Sequence, residues 1–155
     1  MEQIKLDAAS SRILRELQRD SRQTAQELSA KVGLSVSPCW RRVKELEATG
    51  VVRRYTALVE REKVGLSACI LAQVSLLRQT EGAAEQFESA MHACAEVIEC
   101  YSVTGDADYV IKVVLPDVKA YDAFLHRVMF KIKDIGTLRS MVVLREVKYE
   151  TALPV

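Results

Sequence analysis

The sequence predicts an α+β protein with an N-terminal winged helix-turn-helix followed by a C-terminal ferredoxin-like βαββαβ sandwich. Three observations carry this. Residues 1–54 hold 11 Lys/Arg against 7 Asp/Glu, whereas residues 55–155 hold 11 against 14, so a basic head precedes an acidic body. The head contains three short helical segments with a glycine between the second and third. The body alternates strand-like and helix-like runs in the order βαββαβ, which places helices on one face of an antiparallel sheet.

In the head, Asp7 is placed to cap a first helix carrying Ile13, Leu14 and Leu17 at helical spacing, and Asp20-Ser21 offers a stop. Thr24-Ala25-Gln26-Glu27 has the Thr-x-x-Glu form of a capping box, so a second helix runs through Leu28 to Val32. Gly33 can adopt the left-handed conformation that ends a helix. Ser37-Pro38 then reads as an N-cap and a first-turn proline, giving a third helix from about Ser37 to Thr49-Gly50. Beyond it, Val51 to Tyr55 alternates weakly like a strand, and Glu60 to Lys63 is polar, so residues 55–66 are expected to form a linker strand.

In the body, residues 67–155, Ala68 to Leu77 is a β-branched apolar run and Ala83 to Cys94 places Phe87 and Met91 at helical spacing. Val97–Val103 and Tyr109–Leu115 form a hairpin around the turn-rich Thr104-Gly105-Asp106-Ala107-Asp108. Asp117 can cap a helix with the stripe Tyr121, Phe124, Leu125, Val128 and Met129, and Leu138 to Val147 reads as a last long strand. That strand is apolar on both faces, with Met141, Val143 and Val147 on one and Val142 and Leu144 on the other. It needs two covers, one of which a second subunit can supply.

Composition narrows the function classes. The apolar share of 49% supports a real core, or two small ones. No run reaches the roughly 18 apolar residues of a membrane span. The N-terminus MEQIKLDAAS lacks the order of a signal peptide, so a cytoplasmic protein without membrane contacts is expected. Cys39, Cys69, Cys94 and Cys100 form no CxxC pair, and His92 and His126 stand apart from ligand-type residues, so no metal site, disulfide or cofactor is expected.

On the third helix, Val36, Cys39, Val43 and Leu46 share one face, while Ser37, Arg41, Lys44 and Ala48 share another, with Trp40 between them. A stripe of short and cationic side chains suits the major groove of double-stranded DNA, where Arg or Lys meets guanine O6 and N7. The candidate DNA contacts are Ser35, Ser37, Pro38, Trp40, Arg41, Arg42 and Lys44, with Arg42 on a side edge that fits a phosphate. The other reading is a solvated, self-paired surface, since Arg41 and Glu45 stand at i, i+4.

Leu28-Ser29-Ala30-Lys31-Val32-Gly33-Leu34-Ser35, followed by Ser37 to Glu47 (SPCWRRVKELE), resembles the helix-turn-helix signature of the feast/famine (leucine- and asparagine-responsive, Lrp/AsnC) regulators. Gly50-Val51-Val52 and Tyr55 to Leu58 continue the likeness. Val103-Thr104-Gly105-Asp106-Ala107-Asp108-Tyr109 is similar to the loop of that family's amino-acid-sensing domain. The resemblance implies a transcriptional regulator that dimerises through its ferredoxin-like domains, assembles dimers into an octamer, and binds a free amino acid between subunits. The matching effector positions are Thr104, Gly105, Asp106, Asp108, Tyr109, Leu138 and Ser140. There Asp106 or Asp108 would hold an ammonium group and backbone N–H groups near Gly105 a carboxylate. Leu138 departs from the hydroxyl residue many members carry at that position. Alternatively, Gly105 and the aspartates only shape the hairpin turn. The Pro38-Cys39-Trp40 start of the third helix and the tail from Lys148 to Pro154 resemble the branch that responds to cysteine and related sulfur amino acids, or regulates an amino-acid catabolic gene, more than the global leucine-responsive type, and the expected effector is a small or apolar amino acid rather than a charged one. Two other functions remain open on the same plan: a haem-pathway tetrapyrrole decarboxylase, and a DNA-compacting protein without effector control.

Overall fold

Local caps set the helices of the N-terminal unit, residues 1–58 with 148–155. The computed structural model describes residues 5–77 and 81–155, so the first four residues of the segment read for a signal peptide lie outside the described residues. Helix α1 (Ala8–Arg19) starts at Asp7, whose carboxylate accepts from the Ser10 N–H at 2.7 Å. Helix α2 (Ala25–Val32) opens with the reciprocal Thr24–Glu27 capping box and ends at Gly33, φ 68°. Helix α3 (Val36–Ala48) closes the unit's core, in which Ile13, Leu14, Leu28, Val32, Cys39, Val43 and Leu46 are buried.

Helix α3 begins two residues earlier than its sequence suggests. Ser35 rather than Ser37 is the N-cap, and it makes no side-chain capping bond. Pro38 thus occupies the third helical position, which tolerates it because the first-turn N–H groups have no intrahelical acceptor. Val36, expected on the buried face, is 43% exposed because it stands at the helix's first residue.

The expected strands after α3 do not form. Val51 and Val52 both pack against the core, and Tyr55–Glu60 runs exposed without a ladder. A strand exists only where a second backbone pairs with it, and none among the described residues does so here. Glu62–Val64 is a 3₁₀ turn, so residues 55–66 are not a linker strand.

The second unit, residues 59–147, holds one antiparallel sheet of order β2-β3-β1-β4. Its strands are β1 (Ala68–Leu76), β2 (Val97–Ser102), β3 (Tyr109–Leu115) and β4 (Ile135–Val142). Helices α4 (Glu81–Ala93) and α5 (Val118–Arg127) cover the same face. Phe87 and Met91 of α4 and Tyr121 and Phe124 of α5 join Ile70, Ala72, Val74, Ile111 and Val113 in one core. Asp117 caps α5 as its sequence predicts, accepting from the Ala120 N–H. Among the described residues no helix covers the opposite face, where Tyr101 and Met141 are about half exposed.

Strand β4 stops at Val142 rather than reaching Val147. Its partner β1 begins at Ala68, with Ile70 facing Val142, so only one further bond forms, from the Val143 N–H to the Cys69 carbonyl. Leu144 and Val147 are left exposed. Residues 148–155, expected in the C-terminal domain, belong instead to the N-terminal unit: Gln18 pairs with the Leu153 backbone, and Val155 packs on that unit's core.

Candidate DNA-reading face and effector loop

A shared core and side-chain bonds to α1 tie the three helices together. Arg12 of α1 donates to the Val32 carbonyl at 3.1 Å, satisfying the C-terminal end of α2. Arg42 points back to α1, donating to Asp7 Oδ2 at 2.7 Å and to Ser10 Oγ at 3.3 Å. The Asp7 carboxyl is held down to about 2, first by the Ser10 backbone N–H and then by the Ser10 side chain, with Arg42 adding to it. Arg42, expected to contact a phosphate, is thus paired with the first helix in this chain.

The outward face of α3 carries Ser37, Trp40, Arg41 and Lys44, with Ser35 exposed at its cap and Pro38 half-buried. Arg41 is the most open of the cations, with 72% of its side chain exposed and one long contact, 3.8 Å, to Glu45. An exposed i, i+4 pair is worth a few tenths of a kcal/mol, about 0.2–0.5, and does not hold Arg41 back from a base edge. Lys44 is more engaged: its Nζ is 2.8 Å from Glu47 and 4.6 Å from the Trp40 ring centroid. Glu47 also accepts from the Tyr55 hydroxyl at 2.9 Å. Burial, then this carboxylate, pushes Tyr55 up to about 12. Sequence reasoning missed Tyr55, which anchors the segment after α3; no local pattern marks it.

In the second unit, the loop between β2 and β3 is fastened to the end of β1. The Val103 N–H donates to the Asp108 carbonyl, and the Asp108 N–H to the Val74 carbonyl, both at 3.0 Å. Asp108 Oδ2 accepts from the Leu76 N–H at 2.7 Å, and the Ser75 hydroxyl donates to the Asp106 carbonyl at 3.1 Å. Asp108 is therefore an anchor of the loop. Asp106 presents its carboxylate outward without a side-chain partner among the described residues, next to exposed Thr104 and Gly105. Gly105 has φ 116°, and nothing lies within 4 Å of where a Cβ would be, so its conformation rather than its space requires glycine.

The other expected effector positions have different settings. Tyr109 is buried, its ring 4.6 Å from Phe87 and its hydroxyl donating to Glu88 at 2.8 Å. Burial first, then Glu88, raises it to about 12. Val74 faces both Tyr109 and Leu138 across the ladders, and Leu138 packs against the core. Ser140 Oγ lies 2.6 Å from the Tyr121 hydroxyl, on exposed β4. The loop and the start of β4 thus meet at one end of the sheet through Val74. Ser75 and Leu76, which hold the loop, have no signature in the sequence because their role depends on a partner some 30 residues away.

Comparison with known proteins agrees with both halves. Residues 6–53 match the winged helix-turn-helix DNA-binding model, and residues 69–153 match the Lrp/AsnC ligand binding domain. The leucine-responsive regulatory protein of Klebsiella pneumoniae is 38% identical over 148 residues, covering 96% of this chain and 90% of that protein. A transcriptional regulator from Neisseria meningitidis, solved as its L-Met complex, superimposes with a TM-score of 0.92 at 37% identity, covering 97% of each chain. A feast or famine regulatory protein from M. tuberculosis, complexed with L-methionine, gives 0.83 at 32% identity, covering 95% of this chain and 97% of its own. With a matched DNA-binding head and a matched ligand-binding body in one chain, the protein belongs to the Lrp/AsnC family of transcriptional regulators.

Proposed function

We propose that this chain reads double-stranded DNA with α3, using Arg41 for base edges, and that a free amino acid at the Thr104–Asp106 loop modulates that binding. The observation that carries the reading is α3 itself: one face is sealed into the head while Ser37, Trp40 and Arg41 stand open on the other. Asp106 supplies an acceptor for the α-ammonium group, and the Ser140 hydroxyl is a further polar group on β4. Thr104, Gly105 and Asp106 are exposed in one chain, which leaves them open to a neighbouring subunit that would complete the pocket.

Methionine heads the list of effectors because two similar proteins were solved with it. It also fits the sulfur amino acids that the sequence suggested. A homodimer formed on the helix-free sheet face, and dimers joined into an octamer, would bring such loops together and present paired recognition helices. The relatives are named as regulators, and His92 and His126 stand apart: His126 pairs with Asp122 at 3.9 Å and edges Phe130, while His92 lines a recess between α4 and β2. Neither reaches the loop, which leaves the decarboxylase reading without a catalytic constellation.

The test is a DNA-binding assay on genomic fragments with each of the twenty amino acids added, alongside calorimetry. Methionine or another apolar amino acid is expected to shift DNA affinity, and Asp106→Ala and Gly105→Val to abolish the shift while DNA binding survives. A flat response to all twenty would leave a constitutive DNA-binding protein.

A further inference from the structure

The segment 148–155 has no regular secondary structure, yet its backbone is held at several points on α1. The Gln18 side-chain amide closes on the Leu153 backbone from both sides: its Oε1 accepts from the Leu153 N–H at 2.6 Å, and its Nε2 donates to the Leu153 carbonyl at 3.1 Å. This reproduces the two-bond exchange of an antiparallel strand pair with a side chain in place of one backbone. One turn earlier on the same helix face, Arg15 donates to the Val155 carbonyl at 3.0 Å. Val155 packs its side chain against the core of the head. Leu153 itself is 68% exposed, so the attachment works through backbone bonds and the Val155 anchor rather than by burying the leucine.

The covalent path into this segment is short. It leaves β4, the strand that carries Leu138 and Ser140, and passes through residues 143–147, whose Leu144 and Val147 are exposed. At its far end it grips α1, which is also bonded to the recognition helix through Arg42 and Asp7. The head is therefore built from both ends of the described chain, and its second attachment begins at the effector strand.

We propose that residues 151–155 are a strap by which β4 acts on the DNA-reading head, with Gln18 as its clamp. A ligand that shifts or stiffens the start of β4 changes the tension or registry of the strap, and α1 passes the change to α3 through the Arg42–Asp7 bond. Such coupling needs a different strap engagement in the liganded and free states, since a ligand moves an equilibrium only by its differential affinity. The proposal rests on the reading that the loop binds an amino acid.

The experiment uses the full chain, Gln18→Ala, and a chain ending at Glu150. Alanine keeps the helix propensity of α1, so the first variant removes the clamp without unwinding the helix. Amide exchange at Leu153, calorimetry with L-methionine, and DNA affinity with and without methionine are measured on each. The Leu153 amide is expected to be protected in the parent chain and to exchange freely in Gln18→Ala. Both variants should bind methionine and DNA separately as the parent does, while the methionine-induced change in DNA affinity, of the order of 5–150-fold for such couplings, falls toward unity. An undiminished methionine response in both variants, or a freely exchanging Leu153 amide in the parent, overturns the strap. Absence of any methionine response in the parent, with Leu153 protected, would instead remove methionine as the effector; the same comparison made with the amino acid found active in the DNA assay then decides the strap.

Discussion

Arg41 and Arg42 are neighbours in sequence, but one points out of the head and the other is bonded to Asp7 and Ser10. Their removal should therefore read out differently. Arg41→Ala is expected to weaken specific DNA binding by about 1–3 kcal/mol and to relax preference at one base position. Arg42→Ala should lower the unfolding midpoint of the head and leave the salt dependence of DNA binding unchanged, because its guanidinium is already paired. A salt slope reduced by about 1 in Arg42→Ala would return that residue to the phosphate backbone. Asp7 adds a pH test. Its folded-state value is depressed to about 2, first by the Ser10 backbone bond, so it stabilises the head above the unfolded carboxyl value. That contribution is fully present above about pH 4 and is lost as pH falls toward 2. Asp20 and Glu27 are lowered as well, which steepens the same acid limb. Asparagine can also cap a helix, so Asp7→Asn should keep α1 while flattening part of the acid loss in a pH series of thermal midpoints.

Elements whose ends are set by local chemistry were legible in the sequence, and those set by a distant partner were not. The Asp7, Thr24–Glu27, Gly33 and Asp117 signals each act within four residues, and each fixes a helix end in the structure. Helix α3 began early because Ser35 and Ser37 are both plausible caps, and proline is tolerated anywhere in the first turn. The last strand ends five residues before its apolar alternation does, because the alternation continues past the point where β1 can pair with it. At the candidate site the same division holds: Gly105 and Asp106 were visible as loop chemistry, while the anchoring of Asp108 to Leu76 and of Arg42 to Asp7 spans 32 and 35 residues. The local rule can be tested on α2, whose eight residues are too few to persist without help. Thr24→Ala removes the acceptor for the Glu27 N–H and should cost about 1 kcal/mol in a denaturant titration of the head. A core truncation in the other unit, Phe87→Ala, should cost about 3–5 kcal/mol, since that ring is fully buried against the sheet. If the two substitutions prove equally mild, the contrast drawn between a cap and a core position fails.

At the scale of the whole molecule, the sheet of the second unit is covered by described helices on one face alone. Both helices of the second unit cover one face, and the other carries Leu71, Val110, Tyr101 and Met141 on neighbouring strands, each partly or well exposed. These apolar side chains are set among Gln73, Lys112, Glu99 and Arg139 on the same face, a mixed surface of the kind a subunit interface leaves uncovered in one chain. Residues 59–147 should therefore remain folded and at least dimeric when expressed alone, because their core is self-contained. Met141→Asp in the full chain places a charge on that face without touching the helix-side core and should yield monomers. The same substitution should weaken binding to a two-half-site DNA by about 10²–10⁴, since linking two recognition helices supplies an effective concentration that a single head lacks. Sedimentation velocity at micromolar concentration reads the first effect and a mobility-shift titration the second. A monomeric 59–147 fragment, or a Met141→Asp chain that keeps both its mass and its DNA affinity, would move the interface away from the open sheet face.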